Sequence, residues 1–284
     1  MARSVLSSAA RASAKRSLRA FGVATSHLRR LPDFVIIGAK RGGTTSLYRY
    51  LASHPQVAPL FPAAQNIKGT HFLDQNWHRG VSWYRSFFPL TDGSRICGEA
   101  SPYYLFHPLA PRRAAQTIPE ARLLVLLRDP VERAYSHYRE RTRHGADPLS
   151  FDAAIEAEPA RLEGEEDRIA RDGTYRSPAH EHLGYLLQGR YADALERWFS
   201  EVPHQRFHIE LSEDFYRDPA EVCARICEVL GLHPLARERF ERWNYHPGED
   251  MPTAIRRRLA AYFAPHNARL EQLLGIDLSG WTAA

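Results

Sequence analysis

The stretch IIGAKRGGTTSL (Ile36–Leu47) decides the fold of this 284-residue chain. It overlaps the apolar run DFVIIGA (Asp33–Ala39), whose β-branched residues and glycine boundary predict a buried parallel strand. The segment TTSLYRYLASHP then places Leu47 and Leu51 on one helical face, and Pro55 ends the pattern. Strand, glycine-rich turn and helix therefore follow in immediate succession.

This turn has the composition of an anion-binding site. A glycine-rich turn before a helix directs backbone N–H groups at one point, where the helix N-terminus adds partial positive charge. Gly42 and Gly43 allow the backbone to approach an anion closely. Thr44 and Thr45 add hydroxyl donors, and Arg41 adds a planar guanidinium group that is always positively charged. We expect the turn to bind phosphate.

The turn differs from the phosphate loop of nucleotide triphosphatases, G-x-x-x-x-G-K-[ST]. Gly38 and Gly43 have the right separation, but Thr44 stands where that loop has its lysine. The later apolar strand ARLLVLL (Ala121–Leu127) ends in Arg128, where such proteins place a metal-binding aspartate. The pattern therefore predicts phosphate binding without the magnesium-bound triphosphate of a kinase.

A second strand-to-helix unit, LLRDPVERAYSHY (Leu126–Tyr138), repeats this logic. Asp129 is placed to cap the helix, and Pro130 suits its first turn. Arg128 stands at the carboxyl end of the strand, where open α/β sheets bind ligands, and Ser136 follows on the helix. We expect the two side chains to form a second anion site. The alternative is that Arg128 pairs with an acid and Ser136 only packs.

The alternation of strands and helices predicts an α/β fold of three layers, with a central parallel sheet and helices on both faces. RFHIEL (Arg206–Leu211) is a third strand, followed by a helix over Asp218–Leu232. A single amphipathic helix is predicted over Ala179–Ser200. Residues 145–180 contain nine acidic residues and few large apolar ones, so we expect a surface insertion or lid there.

The formal charge of +5 is concentrated at the N-terminus, where residues 1–30 contain seven basic residues and no acid. The rest of the chain has 31 basic and 33 acidic residues, which does not indicate a nucleic-acid-binding domain. We expect a basic arm over residues 1–31 and a single domain over 32–284. The arm is disordered, a transit peptide, or a weak amphipathic helix that touches anionic membrane. No run reaches the ~18 apolar residues of a membrane span.

The two phosphate motifs together resemble the sulfotransferases that use 3′-phosphoadenosine-5′-phosphosulfate (PAPS), in particular the heparan-sulfate-type branch and its bacterial relatives. KRGGTTSL resembles the 5′-phosphosulfate loop of that family, and LRDPVERAYSHY resembles its 3′-phosphate motif. The resemblance continues through three further segments, Lys68–Pro89, Gly98–Pro108 and Gly189–Phe199. It extends over residues 33–275 and implies the P-loop-like version of the α/β fold.

The resemblance implies which residues bind PAPS. Those of the first motif would hold the 5′-phosphosulfate: Arg41, Gly42, Gly43, Thr44, Thr45 and Ser46. Arg128 and Ser136 would hold the 3′-phosphate. The implied reaction is in-line transfer of a sulfuryl group to an acceptor hydroxyl, with the residue at position 41 stabilising the departing charge. Many relatives have lysine there, so Lys40 is an alternative cation. No metal is implied, because the sequence shows no carboxylate cluster to hold one.

The general base is where this sequence departs from the pattern of the family. Relatives often carry glutamate at the position of Gly69, and glycine cannot accept a proton. His71 is the predicted catalytic base, with Asp74 as the residue that orients it or contacts the acceptor. Glu99 or a substrate group is the alternative base. Ala100 stands where relatives often have lysine for an acidic sugar, which argues against a highly anionic acceptor.

Other expectations follow from composition and family. The nucleotide-covering loop is expected near RERFERWNYHPGEDMP, with Arg239, Asn244 and Tyr245 as candidates. The predicted acceptor carries a hydroxyl group and is a carbohydrate, a lipid or glycolipid, or a small secondary metabolite. The 35 arginines against three lysines favour a bacterial cytoplasmic enzyme, with weak peripheral membrane contact through residues 1–30. An ATP-dependent kinase and a non-catalytic nucleotide-binding scaffold are the alternative functions.

Overall fold

A computed structural model describes residues 8–90, 93–234, 240–241, 243 and 250–281. Its strands are β1 (Phe34–Gly38), β2 (Val57–Ala58), β3 (Ile96–Ala100), β4 (Arg122–Leu127) and β5 (Phe207–Leu211). All pair in parallel within one sheet of order β2-β3-β1-β4-β5. Because β1 and β4 are parallel neighbours, the segments that follow them lie side by side at the carboxyl ends of the strands.

Twelve α-helices occur in the described ranges. The first six are α1 (Ser8–Ala24), α2 (Thr44–Ala52), α3 (Gly80–Arg85), α4 (Ala110–Thr117), α5 (Pro130–Arg143) and α6 (Phe151–Leu162). The others are α7 (Glu165–Arg171), α8 (Pro178–His182), α9 (Tyr191–Phe199), α10 (Ser212–Arg217), α11 (Pro219–Val229) and α12 (Thr253–Leu274).

Helices cover both faces of the sheet, as predicted. Val35 and Ile37 of β1 join a buried cluster with side chains of α4 and α9. Phe34 and Ile36 point the other way and join a cluster with side chains of α2 and α11. Both sets are fully buried, which explains why the strand is a continuous apolar run rather than an alternating one. The predicted three-layer α/β fold is confirmed.

The two strands nearest the β2 edge were not predicted. The sequence of β3, ICGEA, interrupts its apolar pattern with Gly98 and Glu99. Gly98 is required by packing, because an added Cβ would lie 2.5 Å from the carbonyl oxygen of Phe34 on β1. Glu99 is buried beneath the site described below. Gly98 serves close packing and Glu99 serves hydrogen bonding. The sequence of β3 therefore lacks the apolar pattern that would indicate a strand.

The prediction of one helix over Ala179–Ser200 is wrong. The segment forms α8, an irregular turn, a short 3-10 helix and then α9. The buried carboxylate of Glu158 on α6 accepts hydrogen bonds from the backbone amides of Leu186 and Leu187, each at 2.7 Å. These two amides therefore have hydrogen-bond acceptors outside any helix. A contact with a residue distant in sequence thus interrupts the predicted helix.

The polar segment 145–180 contains α6, α7 and the start of α8. Phe151 and Ile155 of α6 are buried and pack in one cluster with Leu259 and Phe263 of α12. The segment therefore has an apolar face that is integrated into the protein. Its predicted movement as a lid stays a prediction.

The N-terminal segment lies against the domain from Arg19 onward. Helix α1 and the following 3-10 helix (Ser26–Leu28) both contact α3. Arg29 is buried and donates a hydrogen bond to the carbonyl oxygen of Phe88. Within the described ranges, no helix is long and apolar enough to cross a membrane.

Candidate active site

The first phosphate motif forms the turn between β1 and α2. Gly43 precedes the helix with a φ of +96°, a conformation that favours glycine. Among the described residues, the backbone amides of Gly43 and Thr44 have no hydrogen-bond acceptor. Thr44 is nonetheless buried. Unpaired amides at a buried helix N-terminus form a cradle that an anionic group would satisfy.

Gly42 has a packing role in addition to the one predicted. A Cβ at this position would lie 2.3 Å from the carbonyl oxygen of Leu126 on β4, so the turn lies directly on the neighbouring strand. The carbonyl oxygen of Gly42 also accepts a hydrogen bond from Ser212 Oγ at 2.6 Å. These contacts fix the turn relative to the end of β4.

The second motif meets the first one directly. Arg41 Nε donates a hydrogen bond to Ser136 Oγ at 3.1 Å. Arg128 Nη1 donates to the carbonyl oxygen of Arg41 at 3.3 Å, and Arg128 Nη2 lies 3.6 Å from Glu132 Oε2. Asp129 caps α5 as predicted, with its carboxylate accepting from the Val131 amide at 2.8 Å. The structure therefore brings the two predicted anion sites into one.

Two other residues of the turn face neighbouring segments. Thr45 Oγ1 accepts a hydrogen bond from Lys68 Nζ at 2.8 Å. Ser46 is fully buried, and its Oγ accepts a hydrogen bond from the amide of Trp243 at 3.0 Å. Ser46 thus anchors residue 243, which lies in the segment predicted to cover the nucleotide. The candidates Arg239, Asn244 and Tyr245 lie outside the described residues.

Lys68 is a site residue for which the sequence analysis assigned no role. Burial, with smaller contributions from the charges of Arg41 and Arg49, lowers the pKa of Lys68 to about 8. A lysine that remains buried beside two arginines is expected where an anion binds. Lysine usage offered a clue, because the chain has only three lysines and two of them lie at this site.

Lys40 points away from the turn. Its Nζ donates to the carbonyl oxygen of Glu181 at 2.9 Å and lies 3.1 Å from Nδ1 of His182. Burial lowers the pKa of Lys40 to about 8, although the Glu181 carboxylate raises it. Lys40 and Arg41 are adjacent in sequence, but their side chains contact different helices: Lys40 contacts α8 and Arg41 contacts α5.

His71 and Asp74 form the predicted pair. His71 Nδ1 lies 2.9 Å from Asp74 Oδ2, and the Asp74 carboxylate is fully buried. Burial alone would lower the pKa of His71, but the hydrogen bond and charge of Asp74, with a contribution from Glu181, raise it. The imidazole is 38% exposed, and its Nε2 has no hydrogen-bond partner among the described residues. This nitrogen is available to a substrate.

Glu99 anchors the segment that carries His71. Its carboxylate is fully buried and accepts hydrogen bonds from the Thr70 amide and hydroxyl and from the hydroxyls of Tyr84, Ser101 and Tyr104. Burial raises the pKa of Glu99. Its oxygens are fully engaged, so the geometry disfavours the alternative in which Glu99 is the base.

Gly69 is constrained by close packing. An added Cβ would lie 2.3 Å from the carbonyl oxygen of Ala100 and 2.7 Å from Ser101 Oγ. Ala100 is itself buried, and its amide donates to the carbonyl oxygen of Lys68 at 2.7 Å. The glutamate that relatives often carry at this position therefore does not fit the local backbone.

Helix α8 completes the wall beside His71. Gln75 Nε2 donates to Glu181 Oε2 at 2.5 Å, which joins the loop after Asp74 to this helix. Burial raises the pKa of Glu181, and burial together with the charge of Lys40 lowers that of His182 to about 4. Among the described residues, no group of three His, Cys, Asp or Glu side chains could hold a metal ion.

Fold and site together define an α/β protein with unpaired backbone amides and arginine side chains at the carboxyl ends of β1 and β4, and with a histidine–aspartate pair. Comparison with known proteins names the family. Residues 31–246 match the family described as "Sulfotransferase domain". The chain therefore belongs to the sulfotransferase family, as the sequence predicted.

Individual relatives agree with this assignment. The chain is 29% identical to human heparan sulfate glucosamine 3-O-sulfotransferase 6, over 89% of this chain and 74% of that protein. It is 31% identical to mouse bifunctional heparan sulfate N-deacetylase/N-sulfotransferase 4, over 88% of this chain. It spans about a third of the length of the bifunctional relatives. A solved sulfotransferase from Alicyclobacillus acidocaldarius superposes with a TM-score of 0.68 at 31% identity, covering 89% of this chain and 99% of that one.

Proposed function

We propose that the protein transfers a sulfuryl group from PAPS to a hydroxyl group of an acceptor. The observation that carries the proposal is the contact of Arg41 Nε with Ser136 Oγ, which joins the two phosphate motifs. PAPS carries its 3′- and 5′-phosphate groups on one ribose. A protein that binds both groups therefore needs two anion sites in close proximity, as these motifs provide.

The residues present fit this ligand. The unpaired amides of Gly43 and Thr44, with the cations of Arg41 and Lys68, suit the 5′-phosphosulfate. Arg128 and Ser136 suit the 3′-phosphate, at the end of the neighbouring strand. Three cations, Arg41, Lys68 and Arg128, converge here, so an anionic ligand would relieve their mutual repulsion.

Catalysis in this proposal divides between two sets of residues. PAPS supplies the sulfuryl group, whose bond to the 5′-phosphate oxygen breaks as the acceptor oxygen attacks. His71 Nε2 accepts the acceptor proton, and Asp74 holds the imidazole in position and stabilises its charged form. Arg41 and Lys68 stabilise the negative charge that develops on the departing phosphate oxygen. Positioning and electrostatics provide most of the rate enhancement.

Backbone strain supports the roles of Arg41 and His71. Both have a positive φ, +72° and +50°, and Asn66 is the third non-glycine residue of the described chain with this property. Such conformations cost energy and are concentrated at functional sites. The Glu99 network and the contacts of Gly42 are the interactions that hold these two segments in place.

The proposed acceptor is a carbohydrate hydroxyl. Relatives named above act on heparan sulfate by name, which supports a sugar. Ala100 contributes no cation near the site, so we propose a sugar of lower charge than a sulfated glycosaminoglycan. The hydroxyl group of a lipid-linked sugar or of a small metabolite could give its proton to the same base, His71. The cytoplasmic location stays a prediction from composition.

The kinase alternative is disfavoured by the end of β4. Asp129 is the first acid after this strand, and its carboxylate is used to cap α5. A kinase of the phosphate-loop type needs an acid near this point to bind magnesium. Thr44 also replaces the lysine of that loop.

Calorimetric titration with three ligands tests the proposal: 3′,5′-diphosphoadenosine, 5′-AMP, and ATP with magnesium. We expect the diphosphate to bind most tightly, because it alone engages both motifs. Arg128→Ala should weaken diphosphate binding roughly tenfold, since this partly exposed arginine makes a charge-assisted contact. The same variant should leave 5′-AMP binding unchanged. Preference for ATP with magnesium would overturn the proposal.

A turnover measurement separates an enzyme from a non-catalytic scaffold. The release of 3′,5′-diphosphoadenosine from PAPS is followed with a panel of sugar acceptors and without an acceptor. Release that depends on the acceptor supports the enzyme. Tight binding of the diphosphate with no release for any acceptor would identify a scaffold instead.

A further inference from the structure

Helix α1 packs on the domain through its polar face. Arg19, Gly22, Ser26 and Arg29, which recur every three or four residues, are the residues of this segment that turn inward. Arg19 Nη1 donates to the carbonyl oxygen of Ser86 at 2.7 Å and to its Oγ at 2.9 Å. Polar contacts to backbone and the Arg19 guanidinium, 3.4 Å from the centre of the Phe87 ring, hold the segment, and Phe21 packs in part against the ring of Phe61.

The apolar residues of this segment consequently point outward. All the exposed large hydrophobic side chains of the described residues lie in this region of the surface: Leu18, Phe21, Val23, Leu28, Val81 and Leu90. We name these six residues the outer face. Phe21 is 52% exposed and Leu28 is 58% exposed. Val81 belongs to α3, which contacts α1, and Leu90 pairs with Arg29 through an isolated bridge. An apolar face of this kind marks an interaction site.

The charge around the outer face is uniformly positive. Residues 13–31 and 75–90, which form this side of the protein, contain no acidic residue. Their exposed cations include Lys15, Arg16 and Arg79. Among the described residues, the acids next to these stretches are already paired: Asp33 with Arg30 at 2.9 Å, and the fully buried Asp74 with His71 at 2.9 Å.

A mixed apolar and basic surface matches the interface of an anionic lipid bilayer. The apolar side chains enter the region between headgroups and acyl chains, while lysine and arginine contact the phosphate groups. A nucleic acid would pair with the cations but would leave the apolar side chains of Phe21 and Leu28 unburied. A protein partner would need acidic groups at matching positions, whereas a bilayer needs no shape complementarity.

We propose that the outer face docks the protein on anionic phospholipid membranes, with Leu18, Phe21 and Leu28 inserted among the headgroups. Docking in this way would hold the protein at the membrane without a spanning helix. The proposal is independent of the proposed reaction, because none of these residues belongs to the candidate active site.

Co-sedimentation of the full chain with vesicles tests the proposal, using phosphatidylcholine alone or mixed with phosphatidylglycerol. We expect binding to the mixed vesicles only. Phe21→Ser combined with Leu28→Ser should weaken it roughly tenfold or more, because two apolar side chains lose their burial. Lys15→Ser with Arg16→Ser should also weaken it and increase its sensitivity to salt.

The matched control is Arg168→Ser with Arg171→Ser, which removes the same charge from exposed positions of α7. This control should bind like the unmodified protein. Thermal unfolding of each variant verifies that the fold is intact. Absence of binding to the mixed vesicles, or equal losses in the control, would overturn the proposal. So would sedimentation velocity showing a dimer that Phe21→Ser with Leu28→Ser abolishes while vesicle binding is unchanged.

Discussion

The two halves of the candidate site are built in different ways. On the nucleotide side, the turn after β1 and the start of α5 are local motifs at neighbouring strand ends. On the acceptor side, His71 is held by the buried Glu99 network and by a helix, α8, distant in sequence. The first half depends on backbone geometry, and the second depends on side chains that meet only in the folded protein. Substitutions should affect the two halves in different ways.

The largest effect is expected from Arg41, where the two phosphate motifs of the nucleotide side meet. Arg41→Ala should lower kcat/KM by roughly 10²–10³-fold, because it removes a cation from the developing negative charge. Steady-state kinetics measures this loss, and thermal unfolding should show little change. Arg41→Lys should recover most of the activity. If Arg41→Ala were as active as the unmodified protein, Arg41 would have no role in catalysis.

The next effect concerns the base on the acceptor side. His71→Asn should lower kcat by roughly 10²-fold or more, because the proton acceptor is lost. In the unmodified protein, kcat/KM should increase with pH through the pKa of His71, since only neutral imidazole accepts a proton. Asp74 raises that pKa, so Asp74→Asn should move the increase to lower pH. A pH profile that is the same in both proteins would contradict the assignment.

A smaller, pH-dependent effect is expected from Lys68 on the nucleotide side. Its ammonium group has a pKa of about 8, so kcat/KM should decrease as the pH rises through that value. Lys68→Arg should abolish the decrease, because arginine remains protonated. Lys40 has a similar pKa but faces α8, and Lys40→Arg is therefore the matched control. If Lys40→Arg abolished the decrease instead, Lys40 would be the relevant cation.

The smallest effect on catalysis is expected at Gly69. Gly69→Ala should reduce the free energy of unfolding by about 1–3 kcal/mol, because the methyl group is forced against the Ala100 carbonyl. Chemical denaturation measures this change. Gly69→Glu should likewise fail to increase activity. Higher activity in that variant would mean that the backbone relaxes and that a glutamate base is accommodated there.

This comparison also shows what the sequence reveals. The turn around Gly43 and the cap at Asp129 follow from local rules, so both motifs and the strands β1 and β4 that precede them were predictable. Lys68 was not, because its role depends on contact with Thr45 across the fold. The break before α9 likewise depends on Glu158 and its distant contacts. Long-range contacts, not local propensity, determine the parts that were missed.

A crystal structure of the complex with 3′,5′-diphosphoadenosine tests the central claim most directly. The account predicts the 5′-phosphate on the amides of Gly43 and Thr44, and the 3′-phosphate between Arg128 and Ser136. His71 Nε2 should face the open side of the 5′-phosphate. A 3′-phosphate bound without contact to Arg128 or Ser136 would contradict the claim that the two motifs form one nucleotide site.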